Sequence, residues 1–113
     1  MIKRITILTR KDGMSDEEFG RRWHGQHAEM VRNLPGVCGY TQNKVLPAAG
    51  APADPARRVD GFAEIWFESA DAMASALASP QWTAIVADAH EFLGAMAGYS
   101  IDERVVVPVS PRG

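Results

Sequence analysis

The clearest strand in the sequence covers residues 59–68 and reads VDGFAEIWFE. Successive side chains of a strand point to opposite faces. One face is small or apolar throughout: Val59, Gly61, Ala63, Ile65 and Phe67. The other mixes carboxylates with aromatic rings: Asp60, Phe62, Glu64, Trp66 and Glu68. The alternation predicts a strand that buries its first face against helices and leaves an unusually apolar second face.

Upstream of this strand the sequence predicts a strand, a helix and another strand. Residues 2–9 are rich in β-branched side chains and favour a first strand. Ser15 begins a helix, with Glu18 completing a capping box, and the helix extends to about residue 33, just before a Pro-Gly pair. Residues 37–46 form the second strand of this prediction.

Downstream, the sequence predicts two helices and a last strand. Ser69 or Asp71 caps a short helix that ends near residue 78, and Ser79 followed by a first-turn proline begins the next one. Apolar residues then continue at helical spacing: Trp82, Ile85, Val86, Ala89, Phe92, Leu93 and Met96. We expect the last strand at residues 101–107 and a loose tail at residues 109–113.

The predicted order is strand, helix, strand, strand, helix, strand, in one domain spanning residues 1–113. With right-handed crossovers this gives an α+β, ferredoxin-like βαββαβ fold, in which a four-stranded antiparallel sheet carries both helices on one face. The opposite face, with Phe62 and Trp66, is too apolar to face water. We therefore expect a homodimer that packs sheet against sheet. Residues 47–56, rich in proline and alanine, are expected to form a mobile loop.

Composition restricts the function further. The 113 residues carry a formal charge of −2, which supplies no basic stripe for nucleic acid and no cationic face for a membrane surface. No apolar run is long enough to span a bilayer, and the N-terminus does not resemble a signal peptide. A single cysteine builds neither a disulfide framework nor a cysteine metal cluster. These observations predict a small, soluble, cytoplasmic domain.

The first helix holds the most informative side chains. An apolar stripe falls on one helical arc: Phe19, Trp23, His27, Met30 and Leu34. A histidine on such a stripe is most often a core residue whose nitrogens bond to neighbours. Alternatively, helix and sheet do not close fully here, and His27 faces a pocket where a neutral imidazole accepts a proton.

Other candidates surround this histidine. Tyr40 follows on the next strand, and its hydroxyl can reach the space that His27 faces. His24 and His27 are spaced to share a metal, but no carboxylate or cysteine near them in sequence adds a ligand, so we expect no metal. The remaining candidates line a substrate pocket or simply belong to the core: Trp23, Phe19, His24, Trp82 and Phe92.

A family resemblance rests on these residues. The pattern Phe19-x-x-x-Trp23-His24-x-x-His27, followed by Leu34-Pro35-Gly36-Val37-x-x-Tyr40, resembles the ethyl tert-butyl ether degradation (EthD) family of dimeric α/β barrels. The DGFAEIWF segment at residues 60–67, followed by a helix opened near Ser69, is similar too. The resemblance covers nearly the whole chain, apart from the proline- and alanine-rich segment and the tail.

The resemblance implies a homodimer closed into an α/β barrel, with a pocket between helices and sheet in each subunit. Relatives include muconolactone methylisomerases and polyketide-tailoring decarboxylases and cyclases, which need neither metal nor organic cofactor. His27 and Tyr40 match the polar pocket groups of such relatives. The methylisomerases carry a cysteine where this chain has Ile65, which argues against thiol chemistry.

The leading prediction is therefore a cofactor-independent lyase, isomerase or cyclase acting on a small aromatic or polyketide-like oxo compound. His27 would remove a proton, and Tyr40 would hydrogen-bond the oxygen on which charge develops. One alternative is a cofactorless monooxygenase of the same fold. Another is a non-catalytic protein that binds a hydrophobic metabolite for a partner enzyme. A haem-handling role would require His27 or His24 as an axial ligand.

Overall fold

The computed structural model describes residues 1–46 and 58–111. The loop expected at residues 47–56 lies outside the described residues. The elements follow one another as β1 (Ile2–Arg10), α1 (Asp16–Arg22), a π-helical turn (Trp23–His27), α2 (Ala28–Arg32), β2 (Val37–Lys44), β3 (Gly61–Phe67), α3 (Ala70–Leu77), α4 (Pro80–Phe92) and β4 (Leu93–Ile101).

The four strands form one antiparallel sheet in the order β2-β3-β1-β4. The alternation predicted for β3 is confirmed, because every second residue from Gly61 to Phe67 is buried. These residues face the helices, which all lie on that side of the sheet. The α+β ferredoxin-like fold predicted from the sequence is therefore confirmed.

Three serines begin helices as their positions predict. Ser15 accepts a hydrogen bond from the backbone N–H of Glu18, Ser69 from that of Ala72, and Ser79 from that of Trp82, at 3.1, 3.0 and 3.2 Å. Each bond satisfies an N–H that the first helical turn leaves without a partner. Local capping chemistry thus sets the starts of α1, α3 and α4.

The first helical segment is not continuous. The regular α-helix gives way to a π-helical turn at residues 23–27, where Gly25 departs from helical geometry. The buried positions follow at steps of four residues, through Phe19, Trp23, His27 and Val31. Here the wide turn places Trp23 and His27 on the sheet-facing side.

The last strand corrects the sequence prediction. β4 spans Leu93–Ile101 and begins directly after α4, whereas we expected a helix through Met96 and a strand at residues 101–107. Leu93 and Met96 continue the helical spacing, and the small residues between them carry no strand preference. Pairing with β1 decides the conformation instead. The valines at positions 105, 106 and 107 lie outside the sheet and are exposed.

The outer face of the sheet, which carries no helix, combines apolar side chains with a charged network. Lys3 forms ion pairs with Glu64 and Glu103, and the Trp66 indole N–H donates to Glu103 at 3.1 Å. The segment after β4 therefore returns across this face near Trp66. Phe62, by contrast, keeps 37% of its surface exposed.

The described helices are also short. None of them is long and apolar enough to cross a membrane.

Candidate active site

A cavity of about 240 Å³ lies between the sheet and the helices. Residues from β1, the π-helical turn, α2, β2, β3, α4 and β4 line it. Most of the wall is apolar: Leu8, Trp23, Val31, Ala63, Ile65, Trp82, Ile85, Val86, Ala89, Leu93 and Met96. The polar side chains on the wall are Arg4, Thr6, His27 and Tyr40. A small, mostly apolar cavity with a few convergent polar groups is typical of a small-molecule site.

Trp23 forms part of the cavity wall because β3 offers it a glycine. A Cβ atom at Gly61 would lie 2.6 Å from the Trp23 ring, so only glycine lets the indole pack directly on the strand. The ring also stacks on Phe19, with centroids 5.2 Å apart. Trp23 is thereby completely buried and held in one orientation beside the cavity.

His27 enters the cavity wall from the end of the π-helical turn, and its side chain is 10% exposed. Its Nδ1 atom lies 3.0 Å from Oδ2 of Asp88 on α4, and its ring packs edge-on against Phe92. A carboxylate at Nδ1 favours the tautomer with the proton on that nitrogen. No group in residues 1–46 or 58–111 hydrogen-bonds Nε2, which leaves that nitrogen as the proton acceptor.

Burial and Asp88 act on His27 in opposite directions. Burial lowers the pKa of the His27 imidazole below its ordinary value of 6.5, and the hydrogen bond and negative charge of Asp88 only partly oppose this effect. Arg22 lies 3.9 Å from the same carboxylate and places a positive charge beside it. His27 is therefore neutral at physiological pH, the form that a general base requires.

Tyr40 reaches the cavity from β2. Its phenolic oxygen accepts a hydrogen bond from the Gln42 amide at 2.8 Å, and the same amide nitrogen donates to the Trp23 carbonyl at 2.7 Å. Burial raises the pKa of the Tyr40 phenol, against the opposing effects of Gln42 and the Trp23 indole. The phenol stays protonated and keeps its own O–H available to donate.

The structure brings only some of the predicted site residues together. His27, Tyr40, Trp23 and Trp82 all line the cavity. Three other candidates do not: Phe19, His24 and Phe92. Phe19 and Phe92 are fully buried behind the wall, where they pack against Trp23 and His27 respectively. His24 is exposed and lies outside the cavity wall, where its Nδ1 contacts the Gln42 side chain on β2.

Sequence reasoning missed three residues at this site. Asp88 lies between Ile85 and Phe92 on α4, so a carboxylate on the buried stripe of that helix was the available signal. Gln42 shares a strand face with Tyr40, as its two-residue spacing indicates. Arg4 alternates with apolar residues on β1, and no local pattern distinguishes it from a solvent-exposed arginine.

The two histidines of the first helical segment have separate partners. His24 Nδ1 contacts Gln42, and His27 Nδ1 contacts Asp88. In the described residues, no group of three or more histidine, cysteine or acidic side chains is placed to hold a metal.

A protein-family comparison recognises the EthD domain over residues 11–95, three quarters of the chain. The chain belongs to the EthD family. The matched region contains most of the cavity wall, including His27 and Tyr40, and also Asp88 behind it, while Arg4 precedes the region. No curated protein sequence matches this EthD protein.

Solved structures extend the likeness of fold. An EthD family protein from Bacillus halodurans superposes with a TM-score of 0.73 at 16% identity, covering 92% of this chain and 100% of its own. A dimeric protein of unknown function and ferredoxin-like fold from Bacteroides fragilis gives 0.65 at 14%, covering 90% and 95%. SnoaB, a cofactor-independent oxygenase from Streptomyces nogalater, gives 0.67 at 16%, covering 96% and 97%. At these identities the likeness concerns the fold.

Proposed function

We propose that this EthD protein is an enzyme that removes a proton from a small aromatic or polyketide-like oxo compound without a cofactor. The observation that carries the proposal is the position of His27 on the wall of an apolar cavity, with Asp88 paired to it from behind the wall. A core histidine needs partners for its nitrogens but no adjacent space. Here one nitrogen has a carboxylate partner and the ring borders an open volume.

The first step is transfer of an acidic C–H or phenolic proton to Nε2 of His27. Asp88 stabilises the imidazolium that forms and holds the ring in position. Negative charge then develops on the substrate oxygen, where the Tyr40 O–H donates a hydrogen bond in a mostly apolar cavity. In this proposal His27 is the base, and Tyr40 stabilises the oxyanion.

The fate of the resulting enolate defines the reaction class. Return of the proton from His27 to a different carbon gives isomerisation. Attack of the enolate carbon on a second carbonyl of the same molecule gives cyclisation, with His27 delivering the proton to the new alkoxide. Both outcomes begin with the same deprotonation, and a test of that step therefore covers both.

The experiment measures hydrogen–deuterium exchange into aromatic and polyketide-like oxo compounds in D₂O, followed by mass spectrometry. We expect the protein to accelerate exchange at an activated C–H of at least one compound, and His27→Ala to lower the accelerated rate about 10²–10⁴-fold. His24→Ala is the matched control, since His24 is exposed and outside the cavity. Undiminished exchange in His27→Ala would exclude His27 as the base, and no acceleration across the panel would favour a binding protein.

Oxygenation is a second candidate. SnoaB, which has a similar fold, is a cofactor-independent oxygenase, and such a reaction can start from the same deprotonated substrate. An activated CH₂ group would be oxidised to a carbonyl while O₂ supplies one oxygen atom to the product and the other to water. An oxygen electrode separates the candidates: uptake of one O₂ per product indicates oxygenation, and turnover without uptake indicates isomerisation or cyclisation.

We further propose that the protein is a homodimer joined through the outer sheet face. Phe62 is exposed there, and its neighbours in register are Ile7 on β1 and Asn43 on β2. The Bacteroides fragilis protein of similar fold is described as dimeric. A sheet face with exposed aromatic surface and few unpaired charges suits a second copy better than water.

A further inference from the structure

Arg4 occupies the cavity wall on β1, directly across the sheet from Ile65 on β3 and Ser100 on β4. Its guanidinium carbon lies 5.6 Å from the centroid of the Trp82 ring. On its other side the guanidinium rests against β4, where a Cβ atom at Gly98 would lie 2.1 Å from Nη2. A tryptophan and a glycine thus hold this cation in the wall.

Arg4 differs from the other partly buried cations among residues 1–46 and 58–111. Each of the others forms an ion pair with a carboxylate: Lys3, Arg10, Arg22, Lys44 and Arg58. Arg4 forms none within these ranges, and its Nε is buried without a hydrogen-bond partner. Burial also lowers the pKa of Arg4, although a guanidinium stays protonated in proteins. A partly buried cation without a carboxylate partner is costly, so its presence calls for an explanation.

Within residues 1–46 and 58–111, the rest of the cavity wall offers no negative charge to Arg4. Its other polar side chains are Thr6, His27 and Tyr40, and Asp88 is engaged with His27 and Arg22 behind the wall. The structure therefore presents an apolar cavity with a cation and no anion. A ligand that fills the cavity can supply the missing charge.

We propose that Arg4 binds a carboxylate of the substrate, which makes the substrate an aromatic or polyketide-like oxo acid. This inference deepens the proposed function and rests on it. A guanidinium matches a carboxylate through two parallel N–H···O bonds. Because Trp82 contacts the guanidinium through its ring face, this contact occupies none of the in-plane N–H donors. Binding the carboxylate at Arg4 fixes the orientation of the oxo group in the cavity shared with His27 and Tyr40.

The test compares acids with their neutral amides. The probes are 2-hydroxybenzoate with 2-hydroxybenzamide, and 3-hydroxy-2-naphthoate with its amide, titrated by isothermal calorimetry. We expect at least one acid to bind about tenfold or more tightly than its amide, as a charge-assisted pair would give. Arg4→Met should abolish this preference while preserving amide binding, and Arg4→Lys should restore part of it. Arg32→Met, which changes an exposed arginine, is the matched control.

Equal affinity for acid and amide, including no binding of either, overturns the inference, as does an unchanged preference in Arg4→Met. If Arg4→Met fails to fold, Gly98→Ala replaces it, since the added methyl displaces the guanidinium and should also reduce the preference. The two proposals fail separately. A preference for the acid that depends on Arg4, without proton exchange, supports the carboxylate site and contradicts the proposed enzymatic activity. Proton exchange that depends on His27, without a preference for the acid, supports the proposed enzyme and overturns the carboxylate site at Arg4.

Discussion

The two faces of the sheet differ in whether their partly buried cations have carboxylate partners among the described residues. On the outer face, Lys3 is neutralised by Glu64 and Glu103, and the Trp66 indole N–H has a carboxylate partner. On the helix side, Arg4 has no carboxylate within the described ranges, and the cavity beside it is open. A face whose charges are already satisfied is suited to packing against another protein surface. A face that keeps an unsatisfied cation beside a cavity is suited to a small ligand.

The largest expected effect concerns the outer face. Phe62→Asp places an unpaired charge at the centre of the proposed dimer contact, which costs about 3–5 kcal/mol when buried. We expect sedimentation to show a dimer for the original protein and a monomer for the variant. Ala74→Asp, at an exposed position on α3, is the control and should stay dimeric. A monomer near 12.3 kDa before any substitution would remove the basis for the dimer.

The second prediction concerns the partner of His27. Asp88→Asn removes the charge that raises the pKa of His27 and stabilises its protonated form. We expect kcat to fall about 10–100-fold, or about 1.4–2.7 kcal/mol. The acid limb of the pH–rate profile, already below 6.5, should move to lower pH. Glu91→Gln, at an exposed site on the same helix, should change neither quantity. An unmoved acid limb would show that Asp88 does not act on His27.

The third prediction tests how closely the Trp23 ring packs against Gly61 in the cavity wall. Gly61→Ala forces a methyl group into the Trp23 ring and should lower the free energy of unfolding by about 1–3 kcal/mol. Gly20→Ala is the control on α1, where a Cβ has ordinary contact distances. The control should raise stability by about 0.5–1 kcal/mol, because alanine favours a helix. Chemical denaturation of both variants measures the difference, and equal shifts would contradict the close packing.

The fourth prediction concerns the hydrogen-bond donor from β2. Tyr40→Phe removes one O–H and keeps the ring packed against the buried apolar core. We expect kcat to fall about tenfold or less, with little change in melting temperature. A loss as large as that of His27→Ala would instead assign Tyr40 to proton transfer.

The smallest effect is a pH dependence of stability. Because burial lowers the pKa of His27 in the folded protein, the unfolded chain takes up a proton first as pH falls through 6.5. The contribution of neutral His27 to the free energy of unfolding is therefore complete above pH 6.5. It decreases as pH falls toward the pKa of His27 in the folded protein. We expect the melting temperature to drop between about pH 7.5 and pH 5.5, and His27→Gln to show a smaller drop. An identical drop in both proteins would assign the dependence to other groups.

Local chemistry in the sequence was enough for much of this protein. Serine caps, the Pro-Gly break and the alternation of β3 place most elements, because each depends on interactions within a few residues. The stripe through Trp23 and His27 also follows from helical periodicity. The prediction was wrong for β4, because Leu93 and Met96 fit the spacing of a helix and the small residues between them do not favour a strand.

Long-range packing decided the rest. β4 exists because β1 offers an unpaired edge, and the three valines that look most like a strand have no such edge beside them. The pairing of His27 with Asp88 spans 61 residues, and no local pattern encodes it. The isolation of Arg4 likewise depends on which carboxylates other cations have already engaged. Electrostatic partners are fixed only when distant elements meet, so the sequence predicts the fold and half of the site, and the tertiary structure supplies the charges that surround it.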